Sequence, residues 1–134
     1  MSSFPLQIVT PDGLQFDGEA EKVVVRTVTG DMAVLANHIN CVVPLGMGRA
    51  VVEAEGQRRY AACIGGMLSV VNGKVSLIPT TFEWSDAIDQ VRAKASQERA
   101  ERILRDRKAS DTEIQLAQAR LRRALVRQNT ASYK

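Results

Sequence analysis

The chain has 134 residues, of which 45% are hydrophobic and 25% charged, with 18 basic and 15 acidic side chains and a formal net charge of +3. That is enough for one domain, or one domain with an appendage, at an ordinary composition for a globular protein. The apolar runs fall far short of the roughly 20 residues of a membrane span. Residues 1–10 lack the basic and apolar regions of a secretory leader, so the chain is expected to stay in the cytosol.

Phe4 to Val9 alternates apolar and polar residues, the period of a half-buried strand, and Pro11-Asp12-Gly13 is a turn before Leu14 and Phe16 resume the alternation. Lys22 to Val28 is β-branched and strand-like, and Thr29-Gly30-Asp31 turns the chain into a short run from Met32 to Leu35. Residues 36–40 read as loop, and Cys41 to Leu45 as strand. Arg49 to Glu55 and Arg59 to Ile64 flank Gly56. Gly65-Gly66 permits a bend or a close backbone approach. Met67 to Val71 and Lys74 to Ile78 flank Asn72-Gly73, a strong hairpin signal. Eight to ten short strands with frequent turns predict a β-sandwich or flattened barrel over residues 1–85.

Residues 86–128 contain no Gly or Pro and are rich in Ala, Arg and Glu at helical spacing. A first helix is predicted from an N-cap at Ser85, with Asp86 and Asp89 near its positive end, to about Lys108. Ser110-Asp111 breaks the pattern and caps a second helix from Thr112 to about Arg127. So short a connection implies an antiparallel hairpin over residues 86–134. Ile88, Val91, Ala95, Ile103 and Leu104 supply one apolar stripe; Ile114, Ala117, Leu121, Ala124 and Leu125 supply the other. Both stripes are narrow and Ala-rich, so the hairpin buries little by itself and must rest on the sandwich, clamp a ligand or open onto another protein. The fold class is α+β: an N-terminal all-β sandwich followed by a two-helix hairpin.

The charge is asymmetric. Residues 1–85 hold 6 basic and 8 acidic side chains, net −2, and residues 86–134 hold 12 basic and 7 acidic, net +5. An acidic protein partner, a phosphate ligand or nucleic acid would each suit the basic helices, as would a merely solvated face. Cys41 and Cys63 lack metal-ligand spacing and read as small buried hydrophobes. A Cys41–His38 nucleophile is disfavoured, because His38 is the sole His and no Gly-rich oxyanion loop adjoins it. No Walker motif, paired metal-ligand spacing or Ser-His-Asp set is present, so no metal and no catalytic residue is assigned. Few aromatics argue against base stacking on nucleic acid.

Several stretches carry a family resemblance together: Ile8-Val9-Thr10-Pro11-Asp12-Gly13, Gly30-Asp31-Met32-Ala33-Val34-Leu35 with Asn37-His38-Ile39, Gly65-Gly66-Met67-Leu68-Ser69-Val70, Ile88-Asp89-Gln90-Val91-Arg92-Ala93 and Arg99-Ala100-Glu101-Arg102. In order and spacing the whole chain resembles the epsilon subunit of the F-type ATP synthase. The family often has Gly where this chain has Ala33 and Asn37, Pro at Asn40, and Ser at Ile64, so the backbone around His38 is expected to differ in detail. The resemblance implies a non-catalytic stalk subunit, bound to the gamma subunit and the c-ring, coupling proton translocation to ATP synthesis. It further implies a hairpin with two arrangements: folded down on the sandwich, or extended among the alpha and beta subunits, where it blocks hydrolysis. Asp31 and His38 then fall on the partner-facing end of the sandwich. Arg99, Arg102, Arg105, Arg107, Arg120 and Arg122 would meet acidic residues of a beta subunit. The implied location is peripheral, on the cytoplasmic face of the cell membrane, with membrane association only through the complex and no nucleic acid bound.

Some bacterial members of that family bind ATP in the folded-down hairpin, through the motif Ile/Leu-Asp-x-x-Arg-Ala. Ile88, Asp89, Arg92 and Ala93 match it. Glu83 matches a Glu preceding the first helix, and Arg123 and Arg127 match two Arg four apart on the second. The resemblance thus implies a nucleotide site of Glu83, Ile88, Asp89, Arg92, Arg123 and Arg127, with ATP as a regulatory ligand and no required cofactor. The chemistry is consistent: Ile88 and Arg92, and Arg123 and Arg127, are i, i+4 pairs that share helix faces. Three converging guanidiniums repel one another unless an anion such as a triphosphate joins them. The alternatives are a stand-alone ligand-binding sandwich with a helical tail and a basic nucleic-acid-binding hairpin.

Overall fold

A computed structural model describes residues 2–133. Ten strands form two five-stranded sheets that pack face to face, and two helices follow. The strands are β1 (Phe4–Thr10), β2 (Gly13–Ala20), β3 (Lys22–Thr27), β4 (Gly30–Val34), β5 (Cys41–Pro44), β6 (Met47–Ala54), β7 (Gln57–Ile64), β8 (Met67–Val71), β9 (Lys74–Ile78) and β10 (Thr81–Trp84). The first sheet has the order β2-β1-β9-β8-β5 and the second β10-β7-β6-β3-β4. Only β1 and β9 pair in parallel; the other neighbours are antiparallel.

Alternation built this core. Phe4, Leu6 and Ile8 on β1 point inward, as do Val23 and Val25 on β3, Leu68 and Val70 on β8, and Val75 and Leu77 on β9. A one-residue slip would send each set to solvent, so burial specifies the register. Asn72-Gly73 turns β8 into β9, with φ of +49° and +81° at the two residues. Asn37 also adopts a left-handed φ of +66°, a conformation Asn reaches more readily than most residues other than Gly. Gly66, at φ +94°, is a true requirement: a Cβ there would collide with the Ile78 carbonyl oxygen and lie 2.6 Å from Pro79 Cα.

The helices are α1 (Gln90–Arg105) and α2 (Asp111–Ala131). The expected start of the first helix at Ser85 needs correction. Ser85–Ala87 is a single 3₁₀ turn, Ile88 is extended, and the N-cap is Asp89, whose carboxylate accepts from the Arg92 backbone N–H at 3.0 Å. The cause is tertiary: Ile88 is buried against Ala62 and Ala131, and an extended residue reaches that contact. The first helix also ends earlier than expected, at Arg105, where Asp106 is extended and its side chain accepts from the Lys108 N–H. Ser110 caps α2 in a capping box with Glu113, and that helix runs on past Arg127 to Ala131.

The apolar stripe of the first helix is corrected too. Val91 is 82% exposed and Ala95 faces solvent; Ala93 and Ala100 are buried, facing a seam with Ala117 and Ala124 of α2. Alanine takes the seam because closely approaching helices leave no room for larger side chains. The end of α2 rests on β6 and β7 of the second sheet through Ala131 and Val126. It is fixed by polar contacts as well. Arg49 donates to Asn129 Oδ1 at 3.2 Å and stacks on Tyr133, 3.7 Å from the ring centre.

Candidate functional site

The strand β10 was not expected. Thr81–Trp84 is only four residues long and the sequence marks no run there, yet it pairs with β7 at the edge of the second sheet. Its Phe82 turns into the core, so Thr81 and Glu83 turn outward, beneath the helices. A cavity of about 540 Å³ lies at this junction. One wall is β10 with Ile64 at the end of β7. The second is α1, through Ser96, Arg99, Ala100 and Ile103, and the third is α2, through Arg120, Arg123, Ala124 and Arg127. Each helical set follows the i, i+3, i+4, i+7 spacing that puts four side chains on one face.

Four guanidiniums and one carboxylate therefore share this space. The carboxylate is partnered: Arg127 Nε lies 2.7 Å from Glu83 Oε1, and Nη2 donates to Oε2 at 3.0 Å. One hydrogen bond and a close charge contact thus tie the last turns of α2 to the sheet edge. Glu83 neutralises one guanidinium, so Arg99, Arg120 and Arg123 leave the cavity positive. Four guanidiniums around a concave space suit an anion with several oxygens, which accepts planar paired hydrogen bonds from guanidinium. Gln128 donates to Gln97 Oε1 at 2.6 Å and fixes the two helices beside the site.

Of the six residues expected at a nucleotide site, the structure gathers Glu83, Arg123 and Arg127 at the cavity. Ile88 packs under the hairpin against Ala62, Ala131 and Val126, and Asp89 caps α1. Arg92 is exposed and precedes Ser96 by four residues, so it extends the same helix face one turn beyond the cavity. Arg99 and Arg120, read from the sequence as partner-facing, both line the cavity. Arg102, Arg105 and Arg122 are exposed outside it.

Asp31 pairs with Arg26 at 2.7 Å, largely in solvent, at the strand end that also carries Met47 and Ile64, whereas His38 lies at the opposite end, near the Asn40–Asn72 contact, so the two residues expected on one partner-facing end are not brought together. His38 donates through Nδ1 to the Ile39 carbonyl at 2.8 Å and lies 3.9 Å from Cys41 Sγ. Cys63 is buried, which pushes its thiol up to about 12. Among the described residues, no cluster of three or more His, Cys, Asp or Glu is placed to hold a metal. No helix among them is long and apolar enough to cross a membrane.

Comparison with known proteins follows the same two-part division. Residues 3–96 match the family model of the ATP synthase delta/epsilon chain β-sandwich domain, and residues 86–132 that of its long α-helix domain. The ATP synthase epsilon chain of Caldicellulosiruptor bescii is 37% identical over 127 residues, covering 95% of this chain and 92% of the relative. That of Bacillus velezensis is 37% identical over 131 residues, covering 98% of each. Among solved structures, a chain of the Euglena gracilis mitochondrial ATP synthase (OSCP/F1/c-ring) superposes with a TM-score of 0.84 at 20% identity. That superposition covers all of this chain and 83% of the other, a likeness of fold.

Proposed function

The chain belongs to the ATP synthase delta/epsilon chain family, as a non-catalytic epsilon subunit of that enzyme, and from that premise we propose that its hairpin is a regulatory element governed by ATP. In the folded-down arrangement, ATP sits in the cavity between α1, α2 and β10, and its phosphates accept from Arg99, Arg120, Arg123 and Arg127. Removing ATP releases the hairpin to extend among the alpha and beta subunits and block hydrolysis. ATP shifts this equilibrium only by its preference for the folded-down form.

The observation that carries the reading is the cavity itself, with four guanidiniums against one carboxylate where three elements meet. Its walls come from both parts of the chain, so a ligand there bridges them and is lost when they separate. Ile88 and Asp89 serve by placing the start of α1, and Arg92 by lengthening the cationic face toward the ligand. Glu83 holds Arg127 in position and faces the base or ribose.

The same reading gives the sandwich a docking role on the central stalk. The outer face of the first sheet presents Pro44, Met67 and Ile78 in one cross-strand row, with Val42 and Val71 nearby, all exposed. An apolar surface of this kind suits a lasting protein contact. We assign it to the gamma subunit, and the loop end bearing His38 to the c-ring; Asp31, at the opposite strand end, is left out of that contact. The subunit would then lie peripherally on the cytoplasmic face of the membrane, held by the complex.

The test is calorimetric titration of the full chain with ATP and ADP, alongside Arg123→Gln. One-to-one binding that prefers ATP and weakens at least tenfold in the variant is expected. No heat up to millimolar ATP, or equal affinity in Arg123→Gln, would remove the nucleotide from this proposal and leave the family assignment in place.

A further inference from the structure

The end of α2 meets the outer face of the second sheet at one arginine. On β6, Ala50 and Val52 point into the core, so Arg49 and Val51 point outward. On β7, Ala61 and Cys63 take the core, and Tyr60 and Ala62 take the outer face. Val51 stands opposite Tyr60, which makes Arg49 and Tyr60 diagonal neighbours on that face. From α2, Asn129 and Tyr133 are spaced i, i+4, and both reach Arg49. Arg49 Nη1 donates to Asn129 Oδ1 at 3.2 Å. The Tyr133 ring covers the guanidinium, with its centre 3.7 Å from Cζ. The Tyr60 ring lies 5.2 Å from that of Tyr133 and 5.7 Å from the same Cζ.

Tyr133 follows the helix, yet its place is set. Ser132 Oγ donates to the Asn129 carbonyl at 2.6 Å, and the Tyr133 N–H donates to the Thr130 carbonyl at 3.0 Å. These bonds carry the helical turn past Ala131 and bring the ring onto the sheet. The contact is not core packing. Tyr133 is 38% exposed, and Arg49 and Tyr60 are half-buried. A guanidinium stacked on a ring at such exposure is attracted less than a core side chain is held. Both groups are also at home in water, so their separation strands no buried charge. Arg49, Tyr60 and Tyr133 all lie outside the lining of the 540 Å³ cavity. Lifting α2 from β6 and β7 breaks the contacts to Asn129, Tyr133 and Ala131 together.

We infer that Tyr133, closed on Arg49 and Tyr60, is a latch that holds the hairpin folded down without a ligand. The inference rests on the two arrangements proposed for the hairpin, but not on ATP. The latch sets the resting balance between them, and a nucleotide then shifts that balance by its own preference.

The experiment is native-state hydrogen exchange of the full chain without nucleotide, in Tyr133→Ala, Tyr133→Phe and Arg49→Gln. Tyr133→Ala and Arg49→Gln should each lower the protection of the Ala124 and Ala131 amides by about three- to tenfold. Tyr133→Phe keeps the ring and should stay within about twofold, and Ile8 and Leu77 should keep their protection in all three variants. Ala124 lies more than two helical turns before Tyr133, so its loss reports movement of α2 rather than fraying of its end. Protection kept at Ala124, an equal loss at Ile8 and Leu77, or the same loss in Tyr133→Phe as in Tyr133→Ala would each overturn the latch. Hydrolysis by the assembled ATP synthase separates the latch from the reading beneath it. Tyr133→Ala should deepen inhibition there; lost protection with unaltered inhibition would keep the latch and remove the hairpin's regulatory role.

Discussion

Replacing Glu83 with Gln keeps the size of the side chain and removes its charge, so it isolates what the Glu83–Arg127 pair contributes to hairpin docking. Hydrogen bonds to charged groups contribute about 1.5–3 kcal/mol each when shielded, but exposed pairs contribute about 0–1 kcal/mol. This pair lies between the two limits, with the Arg127 side chain 20% and the Glu83 side chain 33% exposed. Gln retains one acceptor for Arg127, so the net loss should be about 1–2 kcal/mol, which is a factor of roughly 5–30 in an equilibrium. The equilibrium at issue is local opening of α2 rather than global unfolding, because the pair joins α2 to the sheet edge and touches none of the sandwich core. Native-state hydrogen exchange reads it directly. Amides of Ala124 and Ala131 should lose roughly 5–30-fold of their protection, while Ile8 and Leu77 keep theirs. A double-mutant cycle with Arg127→Gln should then show coupling between the two positions. Unchanged protection of α2, or an equal loss in the sandwich strands, would refute the argument that this ion pair fastens the hairpin.

Three further outcomes are expected. Ile88→Ala removes the largest side chain of the small cluster formed with Ala62 and Ala131; because it lies at the edge of the fold, a loss near the low end of the core range, about 2 kcal/mol, should appear in α2 exchange rather than in the sandwich. Gly66→Ala puts a Cβ into the Ile78–Pro79 backbone at a left-handed φ; thermal unfolding should show a loss of more than about 3 kcal/mol, or no soluble protein. Cys63 is raised by burial from an ordinary 9.0 to about 12. Its contribution to stability is complete below pH 9, where the unfolded thiol is protonated. It is lost as pH rises from about 9 to 12, with a limiting slope of about 1.4 kcal/mol per pH unit. Cys63→Ala should lack that slope in denaturant titrations, and thiol-specific reagents should modify Cys41 well before Cys63.

The strands were legible where alternation and turn chemistry agreed, as at Asn72-Gly73, whose left-handed conformations close β8 on β9. They were not legible at Thr81–Trp84. Four residues hold too little alternation to mark a strand, and pairing to β7 rather than local preference makes β10. The start of α1 was misplaced at Ser85 for a similar reason. Ser85 is a good cap by residue type, but the burial of Ile88 on the sheet holds that residue extended and moves the cap to Asp89. In the hairpin seam, Val91 outranks Ala93 in hydrophobicity, but distance between helices selects for size. The candidate site was half readable. Glu83, Arg123 and Arg127 could be brought together by folding an antiparallel hairpin back on the strand before it. Arg99 and Arg120 could not be separated from the arginines outside the cavity, because which face turns inward depends on how the hairpin sits on the sheet, a tertiary angle that helical spacing does not carry.

The two outer faces of the sandwich are built for contacts of different permanence. The first sheet shows Val42, Pro44, Met67 and Ile78 to the outside, and a contact made there gains from apolar burial that salt and small ligands hardly alter. The second sheet carries Arg26, Arg49, Glu53, Arg58 and Glu83 outward, and what covers part of it is a hairpin whose own apolar contribution is mostly alanine. Burying alanine yields little, so the docked hairpin depends on the Glu83–Arg127 ion pair and a stacked arginine, and it encloses a cavity in which positive charge exceeds negative. Such a contact lies near balance by construction. A ligand needs to favour the docked form by only a few kcal/mol to change which arrangement dominates. The cavity between α1, α2 and β10 lies on this second interface, where binding free energy converts most directly into hairpin position; an anion bound to the first sheet would have no such lever.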